Sequence, residues 1–254
     1  MKVKKGVGPW YESYFGPDYL IIDEQPNTPD EVRFMVRTLG LRKGTRLLDA
    51  ACGYGRHMIP LITRGVNVTG CDLSQFMIEE SLRRMKKQNV RPSGLVRCDI
   101  RHLPFRRVFS AACIMFNSFG YFDAEDDNFL VLKGMAMALK PGGRFLLDLV
   151  NRDFVLRSMC KKDWFERNDT IVLERKWIDQ YRNRSEIDVH VVDKRGKRTY
   201  HHSIRLYSFT EVSMLLEAAG FEIQDVFGGF NGEPFDRYHD RMLILARVAG
   251  RDSA

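Results

Sequence analysis

The chain has 254 residues, of which 44% are hydrophobic and 29% are charged, and it carries a formal net charge of +7. This composition excludes a disordered chain or a coiled coil, no apolar run approaches the ~18 residues of a membrane span, and the basic start lacks the apolar core of a signal peptide. The five cysteines form no CxxC pair, so we expect no disulfide framework, no zinc site and a cytoplasmic location.

Two segments precede the first predicted strand. The segment 1–27 is rich in aromatic side chains, namely Trp10, Tyr11, Tyr14, Phe15 and Tyr19. Thr28, Pro29 and Glu31 predict a helix start, with Thr28 as the cap and Glu31 closing a capping box. Apolar residues at helical spacing continue to Gly40, where we expect this helix to end.

Residues 46–150 alternate regularly between predicted strands and helices. The expected strands are 46–51, 66–71, 95–98, 110–116 and 144–150, the last of them after a turn at 141–143. The expected helices are 56–63, 75–88 with Ser74 as its cap, and 125–139. Strands that alternate with helices are typical of crossover units, so this region predicts a parallel sheet.

The pattern changes after residue 150. Stretches 170–180, 186–192 and 199–207 predict antiparallel strands joined by polar turns. This insert, residues 151–207, holds 14 Lys/Arg against 9 Asp/Glu, with four of the basic residues in 194–198. A capping box at Ser208 and Glu211 then predicts a helix that ends at Gly220, and strands follow at 222–227 and 241–248. We therefore expect one core made of residues 28–150 and 208–254.

The most informative segment reads LLDAACGYGRH and runs from Leu47 to His57. It predicts a strand, a turn at Gly53 and Gly55, and a helix, and such folds bind ligands at the carboxyl ends of their strands. Asp72 ends the next predicted strand, 19 residues after Gly53. A carboxylate at that spacing can accept hydrogen bonds from ribose hydroxyls. The two features together indicate a ligand that contains a nucleoside.

A second pair of residues narrows the choice of nucleoside ligand. The dinucleotide fingerprint needs a third glycine where this chain has Met58, which disfavours a nicotinamide cofactor. Asp99 and Ile100 follow the third strand. A carboxylate there can accept the exocyclic amine of adenine, and an apolar side chain can cover the adenine ring.

With these motifs the chain resembles the class I S-adenosylmethionine-dependent methyltransferases. The likeness covers about residues 41–150 and 208–248, and it includes MFNSFGYF at the end of strand four and LKPGG before strand five. Within that class the chain is similar to glycine N-methyltransferases and aminosugar N,N-dimethyltransferases. The resemblance implies a seven-stranded Rossmann-like α/β sheet of order 3-2-1-4-5-7-6 with the last strand antiparallel. It also implies an aromatic N-terminal lid (1–27) and an antiparallel β lid (151–207).

The resemblance further implies S-adenosylmethionine as methyl donor, S-adenosylhomocysteine as product, and no metal. Asp49 and the loop from Gly53 to Gly55 would hold the methionine part, and Asp72 would take the ribose. Leu73 and Ile100 would lie on the two faces of adenine. The other implied or expected cofactor contacts are Ala50, Cys52, Asp99 and Phe116.

Methyl transfer from a sulfonium needs mainly alignment, and aromatic faces can stabilise the cation. We predict that Tyr14 makes this contact with the sulfonium, and Tyr19 and Tyr11 are further candidates. The alternative is that these aromatic side chains only pack the N-terminal segment against the core.

Three side chains are candidates for contact with the methyl acceptor. Asn117 could orient the acceptor, Tyr121 could hydrogen-bond it or act as a base, and His239 could act as a base. Turn, packing and surface roles are the alternatives for these residues. His201 and His202 are expected on the surface of the insert.

The leading interpretation is methyl transfer to a nitrogen or oxygen of a small molecule, by a monomer or homodimer with no membrane partner. One alternative is an RNA- or protein-modifying methyltransferase that contacts phosphates through Lys194–Arg198. Related methyltransferases that act on amino bases or on glutamine carry a proline-containing motif at the end of strand four. This chain has no proline there, which disfavours the RNA- or protein-modifying alternative. Another alternative is a protein that binds the cofactor without turnover.

Overall fold

A seven-stranded sheet forms the centre of the fold in this computed structural model, which describes residues 14–91 and 94–250. Its strands are β1 (Arg46–Ala50), β2 (Asn67–Asp72), β3 (Gly94–Arg97), β4 (Phe109–Ile114), β5 (Leu139–Val150), β10 (Phe221–Phe227) and β11 (Arg241–Val248). The order across the sheet is β3-β2-β1-β4-β5-β11-β10, and β11 runs antiparallel to both of its neighbours. The predicted fold and strand order are therefore confirmed.

Helices cover both faces of this sheet. They are α1 (Tyr19–Ile22), α2 (Thr28–Leu39), α3 (Met58–Thr63), α4 (Gln75–Lys87), α5 (Glu125–Ala138), α6 (Arg152–Ser158) and α7 (Phe209–Ala218), with a 3-10 turn at Ile100–His102. Consecutive strand residues face opposite layers, so Leu47 packs with α2 and α3 while Leu48 packs with α5 and α7. None of the helices in the described ranges is long and apolar enough to cross a membrane.

A second, antiparallel sheet lies between β5 and α7, and we call it the insert sheet. Its strands are β6 (Lys162–Arg167), β7 (Thr170–Asp179), β8 (Arg184–Asp193) and β9 (Gly196–Arg205), paired in chain order. Val172, Val189 and Val191 on one face are buried together with Tyr14. That face therefore packs against residues 14–24, which we call the N-terminal segment.

The sequence pattern missed two elements of this region, α6 and β6. Asn151 caps α6 through its side chain, which accepts a hydrogen bond from the Asp153 N–H at 3.1 Å. Strand β6 is an exposed edge strand with the polar sequence KDWFER. Neither a short helix nor an exposed edge strand needs the apolar periodicity by which buried elements are predicted.

Two predicted local features are wrong. Thr28 does not cap α2, because its hydroxyl donates to the Gln25 carbonyl (2.8 Å) and the Glu31 carboxylate turns to a distant partner instead. The turn at 141–143 does not precede β5 but lies within it, since β5 begins at Leu139. There the pairing with β4 shifts register, so the turn residues form an excursion within the strand.

The capping box of α7 is confirmed and allows a stability prediction. The Ser208 hydroxyl accepts from the Glu211 N–H at 3.3 Å, and the Glu211 carboxylate accepts from the Ser208 N–H at 2.8 Å. We expect Ser208→Ala to lower the free energy of unfolding by about 1 kcal/mol. The matched control is Ser213→Ala on the same helix, a half-buried residue whose hydroxyl donates to the Thr210 carbonyl at 2.9 Å and caps no N–H group in the described chain. Urea unfolding of both variants measures the difference, and equal effects would contradict a capping role.

Candidate active site

The loop after β1 leaves a space at the carboxyl edge of the sheet. Gly53 and Gly55 both adopt left-handed backbone, with φ of +53° and +81°. A Cβ at Gly55 would lie 2.6 Å from the Ser81 hydroxyl, so only glycine fits there, whereas a Cβ at Gly53 would meet nothing within 4 Å. The backbone at Gly53 therefore borders an open cradle that a ligand can approach closely.

Asp72 fixes this loop from the end of β2. One carboxylate oxygen accepts from the Gly53 N–H and the other from the Ser74 N–H, each at 2.8 Å. Burial raises the pKa of Asp72, and the two N–H donors act in the opposite direction. The carboxylate lines the same cavity as Gly53, where its remaining lone pairs can accept hydroxyl donors.

The predicted adenine contacts lie in this cavity as well. Leu73, Asp99 and Ile100 are all among its lining residues. Asp99 also binds Arg101, whose side-chain nitrogens lie 2.6 to 3.1 Å from the carboxylate oxygens. Burial raises the pKa of Asp99, but the hydrogen bonds from Arg101 outweigh it and leave the pKa below its usual value. An adenine amine would share Asp99 with this guanidinium.

A buried cluster that sequence reasoning missed forms another wall. Arg56 and His57 line the cavity, and both bind one oxygen of the Glu31 carboxylate at 2.5 Å. Nη2 of Arg56 is buried and has no partner among the described residues. Arg56 directly follows the Gly-x-Gly turn, which is the signal that could have indicated it. A ligand carboxylate would satisfy this unpaired donor, as the methionine part of S-adenosylmethionine can.

The backbone after β4 is strained where it borders the cavity. Phe116 and Asn117 both adopt left-handed conformations, with φ of +56° and +57°. Asp148 holds them there, because its carboxylate accepts from the Phe116 N–H at 2.7 Å and its carbonyl from the Asn117 N–H at 3.0 Å. Strain of this kind in non-glycine residues is typical of functional sites.

A second cavity of about 510 Å³ adjoins the first. The residues that line both cavities are Phe15, Tyr19, Asp23, Phe116, Ser118 and Tyr121. The second cavity extends between the N-terminal segment, α6 and the insert sheet. A ligand in the first cavity can therefore meet a ligand in the second across these shared residues.

The predicted site residues divide among three places. The first cavity is lined by Tyr19, Cys52, Gly53, Asp72, Leu73, Asp99, Ile100, Phe116 and Tyr121. The second cavity is lined by Tyr14 and Asn117, besides the shared residues. Asp49, Ala50, Gly55 and His239 line neither cavity, and the reserve residue Tyr11 lies outside the described residues.

Several of these residues already have structural partners. The Asn117 side-chain oxygen accepts from the Val150 N–H at 3.1 Å. Asp49 is buried beneath the loop, where burial raises its pKa and its Oδ2 has no partner in the described chain. The His239 ring pairs with Asp236 at 2.9 Å on the surface. The roles assigned to these side chains stay predictions.

The N-terminal segment is tied down over the site. Asp18 is buried and binds the guanidinium groups of Arg195 and Arg198 and the Tyr200 hydroxyl, all at the β8–β9 end of the insert sheet. On the other side, the Ser74 hydroxyl donates to the Phe15 carbonyl at 3.1 Å. The segment therefore links the insert sheet to α4 across the mouth of the first cavity.

Comparison with known proteins agrees with this geometry. Residues 47–143 match the model of a methyltransferase domain family. The chain is 26% identical over 207 residues to the cypemycin N-terminal methyltransferase of a Streptomyces species, covering 80% of this chain and 82% of that protein. It is 27% identical to the glycine/sarcosine N-methyltransferase of Aphanothece halophytica, covering 91% and 86% of the two chains.

Two further matches extend the comparison. A dTDP-3-amino-3,4,6-trideoxy-alpha-D-glucopyranose N,N-dimethyltransferase of Streptomyces venezuelae is 25% identical, covering 75% of this chain and 81% of that enzyme. The crystal structure of an S-adenosylmethionine-dependent methyltransferase from Clostridium acetobutylicum shares the fold with a TM-score of 0.78. That match covers 93% of this chain and 96% of the other at 18% identity.

Proposed function

We propose that this chain, a member of the S-adenosylmethionine-dependent methyltransferases, methylates a nitrogen of a small molecule in the cytoplasm. The observation that carries the proposal is the pair of adjoining cavities, one bordered by Gly53 and Asp72 and the other lined in part by the insert sheet. Of the three relatives described above, two are N-methyltransferases by name and the third is named an N-terminal methyltransferase. A second cavity of about 510 Å³ suits a small acceptor.

The residues of the first cavity fit the cofactor in charge and shape. Asp72 would accept the ribose hydroxyls, Leu73 and Ile100 would cover adenine, and the unpaired Nη2 of Arg56 would take the methionine carboxylate. The open cradle at Gly53 gives the ligand close access to the backbone. S-adenosylmethionine supplies an activated methyl group on a sulfonium that an in-line nucleophile can displace.

The protein's own contribution is alignment and exclusion of water. Phe15, Tyr19 and Tyr121 line both cavities, and their aromatic rings can stabilise a nearby cation by about 0.5–2 kcal/mol. Burial raises the pKa of Tyr121, so its hydroxyl stays protonated near neutral pH. Tyr121 is therefore suited to hydrogen-bond the acceptor rather than to remove its proton. Correct positioning of two reactants can supply ~7–11 kcal/mol of the barrier.

The proposal is tested with S-adenosylmethionine labelled in its methyl group. The purified protein is incubated with a cell extract divided into small molecules, RNA and protein. We expect label in the small-molecule fraction. Label confined to RNA or protein would overturn the proposal, and bound cofactor with no label in any fraction would favour the protein that binds without turnover.

The RNA-modifying alternative rests on the basic residues 194–198, and the structure leaves little of that charge free. Arg195 and Arg198 both bind Asp18 and Asp193. Of the four basic residues, Lys194 and Lys197 are those for which no ion pair is seen in the described chain. We expect the double variant Lys194→Ser, Lys197→Ser to methylate small molecules within about twofold of the unchanged protein, because exposed charges of this kind contribute little.

Initial rates with labelled donor measure this prediction. The unchanged protein, assayed in parallel at two salt concentrations, is the reference. A loss above tenfold together with loss of RNA binding would favour the alternative.

A further inference from the structure

His202 is a polar side chain of the second cavity that has no structural partner on its Nδ1 atom. It lies on β9 opposite Ile187 of β8, and its ring centroid is 4.5 Å from that of Tyr14 and 6.5 Å from that of Tyr121. It lines the second cavity together with Asn117. The expectation that His202 lies on the outer surface of the insert is therefore wrong, because its strand position turns the ring inward.

Its neighbour His201 shows the contrast. His201 is exposed and its ring nitrogens pair with Asp188 at 2.9 Å and Glu186 at 3.1 Å. Nδ1 of His202, in contrast, is buried without a hydrogen-bond partner anywhere in residues 14–91 and 94–250. A buried polar atom without a hydrogen-bond partner destabilises the folded protein. Such an atom in a ligand cavity is explained when the ligand supplies the missing partner.

The charge state of His202 makes it an acceptor of hydrogen bonds. Burial, with smaller contributions from His201 and Lys176, lowers the pKa of His202 to about 4. The imidazole is therefore neutral near pH 7 and offers a lone pair to an N–H donor. Tyr14 and Tyr121, which face the ring, are also neutral because burial raises the pKa of each hydroxyl.

The rest of the second cavity is mostly apolar. Its lining includes Ile22, Phe154, Val155, Ile187 and Ile204. These side chains come from the N-terminal segment, α6 and the insert sheet, so an apolar ligand would be surrounded on three sides.

The charged side chains that line this cavity already pair with other protein groups. The Lys176 ammonium pairs with Glu174 at 2.6 Å, and Nε of Arg241 binds Asp148 at 2.9 Å. Within the described residues, then, no lining cation stands unpaired to receive the carboxylate of an amino acid or the phosphates of a nucleotide sugar. The lining carboxylate, Asp23, accepts from Tyr54 and Gln25.

We infer that the methyl acceptor is an amine with an apolar body, whose N–H donates a hydrogen bond to His202. The inference rests on the proposed function and names its substrate class. The acceptor nitrogen keeps its lone pair free for the methyl carbon, because its N–H and not its lone pair is engaged by the imidazole. As the new C–N bond forms, the methyl–sulfur bond breaks with its electrons going to sulfur, and the proton of the resulting ammonium leaves to water.

Competition between three acceptors tests the inference. The acceptors are 2-phenylethylamine as an apolar amine, sarcosine as an amino acid, and a dTDP-linked amino sugar as a nucleotide sugar. Labelled S-adenosylmethionine is supplied to the unchanged protein, to His202→Phe, and to His201→Phe as the matched control on the same strand. We expect kcat/KM for 2-phenylethylamine to exceed that for the other two acceptors at least tenfold.

The variants separate the role of His202 from general damage. Phenylalanine keeps an aromatic ring beside Tyr14 but accepts no hydrogen bond in the ring plane. We expect His202→Phe to lower kcat/KM for 2-phenylethylamine about 10- to 100-fold, with the affinity for S-adenosylhomocysteine unchanged. His201→Phe should leave both values within about twofold. Because the substitution removes an unsatisfied polar group, Tm of His202→Phe without acceptor should equal or exceed that of the unchanged protein.

Each contrary result has a distinct meaning. Preference for sarcosine or the nucleotide sugar overturns the apolar acceptor and leaves the proposed function standing. A Tm loss above about 4 °C in His202→Phe assigns the residue a structural role and overturns its contact with the acceptor. Failure to label any of the three amines also overturns the inference, and label in the small-molecule fraction of a cell extract then shows whether the proposed function survives.

Discussion

Asp72→Ala weakens the binding of S-adenosylhomocysteine at least about 30-fold, a loss of about 2 kcal/mol. Two effects add in this variant. The carboxylate holds the Gly53 and Ser74 N–H groups at 2.8 Å, so its removal loosens the loop that borders the cradle. It also removes the acceptor proposed for the ribose hydroxyls, where hydrogen bonds to a charged group contribute about 1.5–3 kcal/mol each. Isothermal titration calorimetry measures the dissociation constant.

Two controls distinguish a local loss of binding from unfolding. Asp225→Ala removes a carboxylate from β10, at the far edge of the sheet. Among the described residues its oxygen accepts only from the neighbouring Val226 N–H. It should leave the affinity unchanged. Asp72→Asn keeps the size of the side chain and should bind with intermediate affinity. An unchanged dissociation constant in a folded Asp72→Ala protein would mean that the cofactor does not use this cavity.

The central fold and several residues of the first cavity could be predicted because their signals are local. Each buried strand carries apolar residues for both layers, as Leu47 and Leu48 do on β1. The Gly53–Gly55 turn and the acidic residues after β2 and β3 can be recognised from their positions along the chain alone. Gly53, Asp72 and Asp99 therefore could be expected at one cavity without any knowledge of distant contacts, and all three line the first cavity.

The second cavity and the Glu31–Arg56 wall of the first cavity could not be predicted, because they depend on contacts between distant segments. Asp18 meets Arg198, which is 180 residues away, and Glu31 meets Arg56 across 25 residues. The register of β9 decides which of two adjacent histidines faces inward, and a shift of one residue would exchange them. The predicted capping box at Thr28 does not form for a related reason. The Glu31 carboxylate forms stronger, charge-assisted hydrogen bonds with Arg56 and His57 instead.

Asp18→Ala lowers kcat at least tenfold while the protein stays folded. The buried carboxylate binds Arg195, Arg198 and Tyr200, and its removal loses charge-assisted hydrogen bonds that contribute about 1.5–3 kcal/mol each. That loss falls on the contact between the N-terminal segment and the insert sheet. Phe15 and Tyr19 on this segment wall both cavities, so its release admits water and loosens alignment. Steady-state rates with labelled donor measure the effect.

The matched control is Glu24→Ala on the same segment. Glu24 also pairs with the insert sheet, through Arg167, but it is 66% exposed and such pairs contribute about 0–1 kcal/mol. We expect it to keep kcat within about twofold. Equal rates for both variants would show that the segment does not close the site.

The Asp18 contact also has a predictable pH dependence. Burial raises the pKa of Asp18, but the hydrogen bonds from Arg198 and Tyr200 outweigh it and lower the pKa below the usual value. A carboxylate whose pKa is lowered by folding stabilises the folded state fully above its unfolded pKa of about 4, and the stabilisation is lost as the pH falls through the lowered pKa. The contact therefore persists across neutral and mildly acidic pH. A kcat deficit of Asp18→Ala that is constant between pH 6 and 8 is the expected result, and a deficit that vanishes within that range would contradict it.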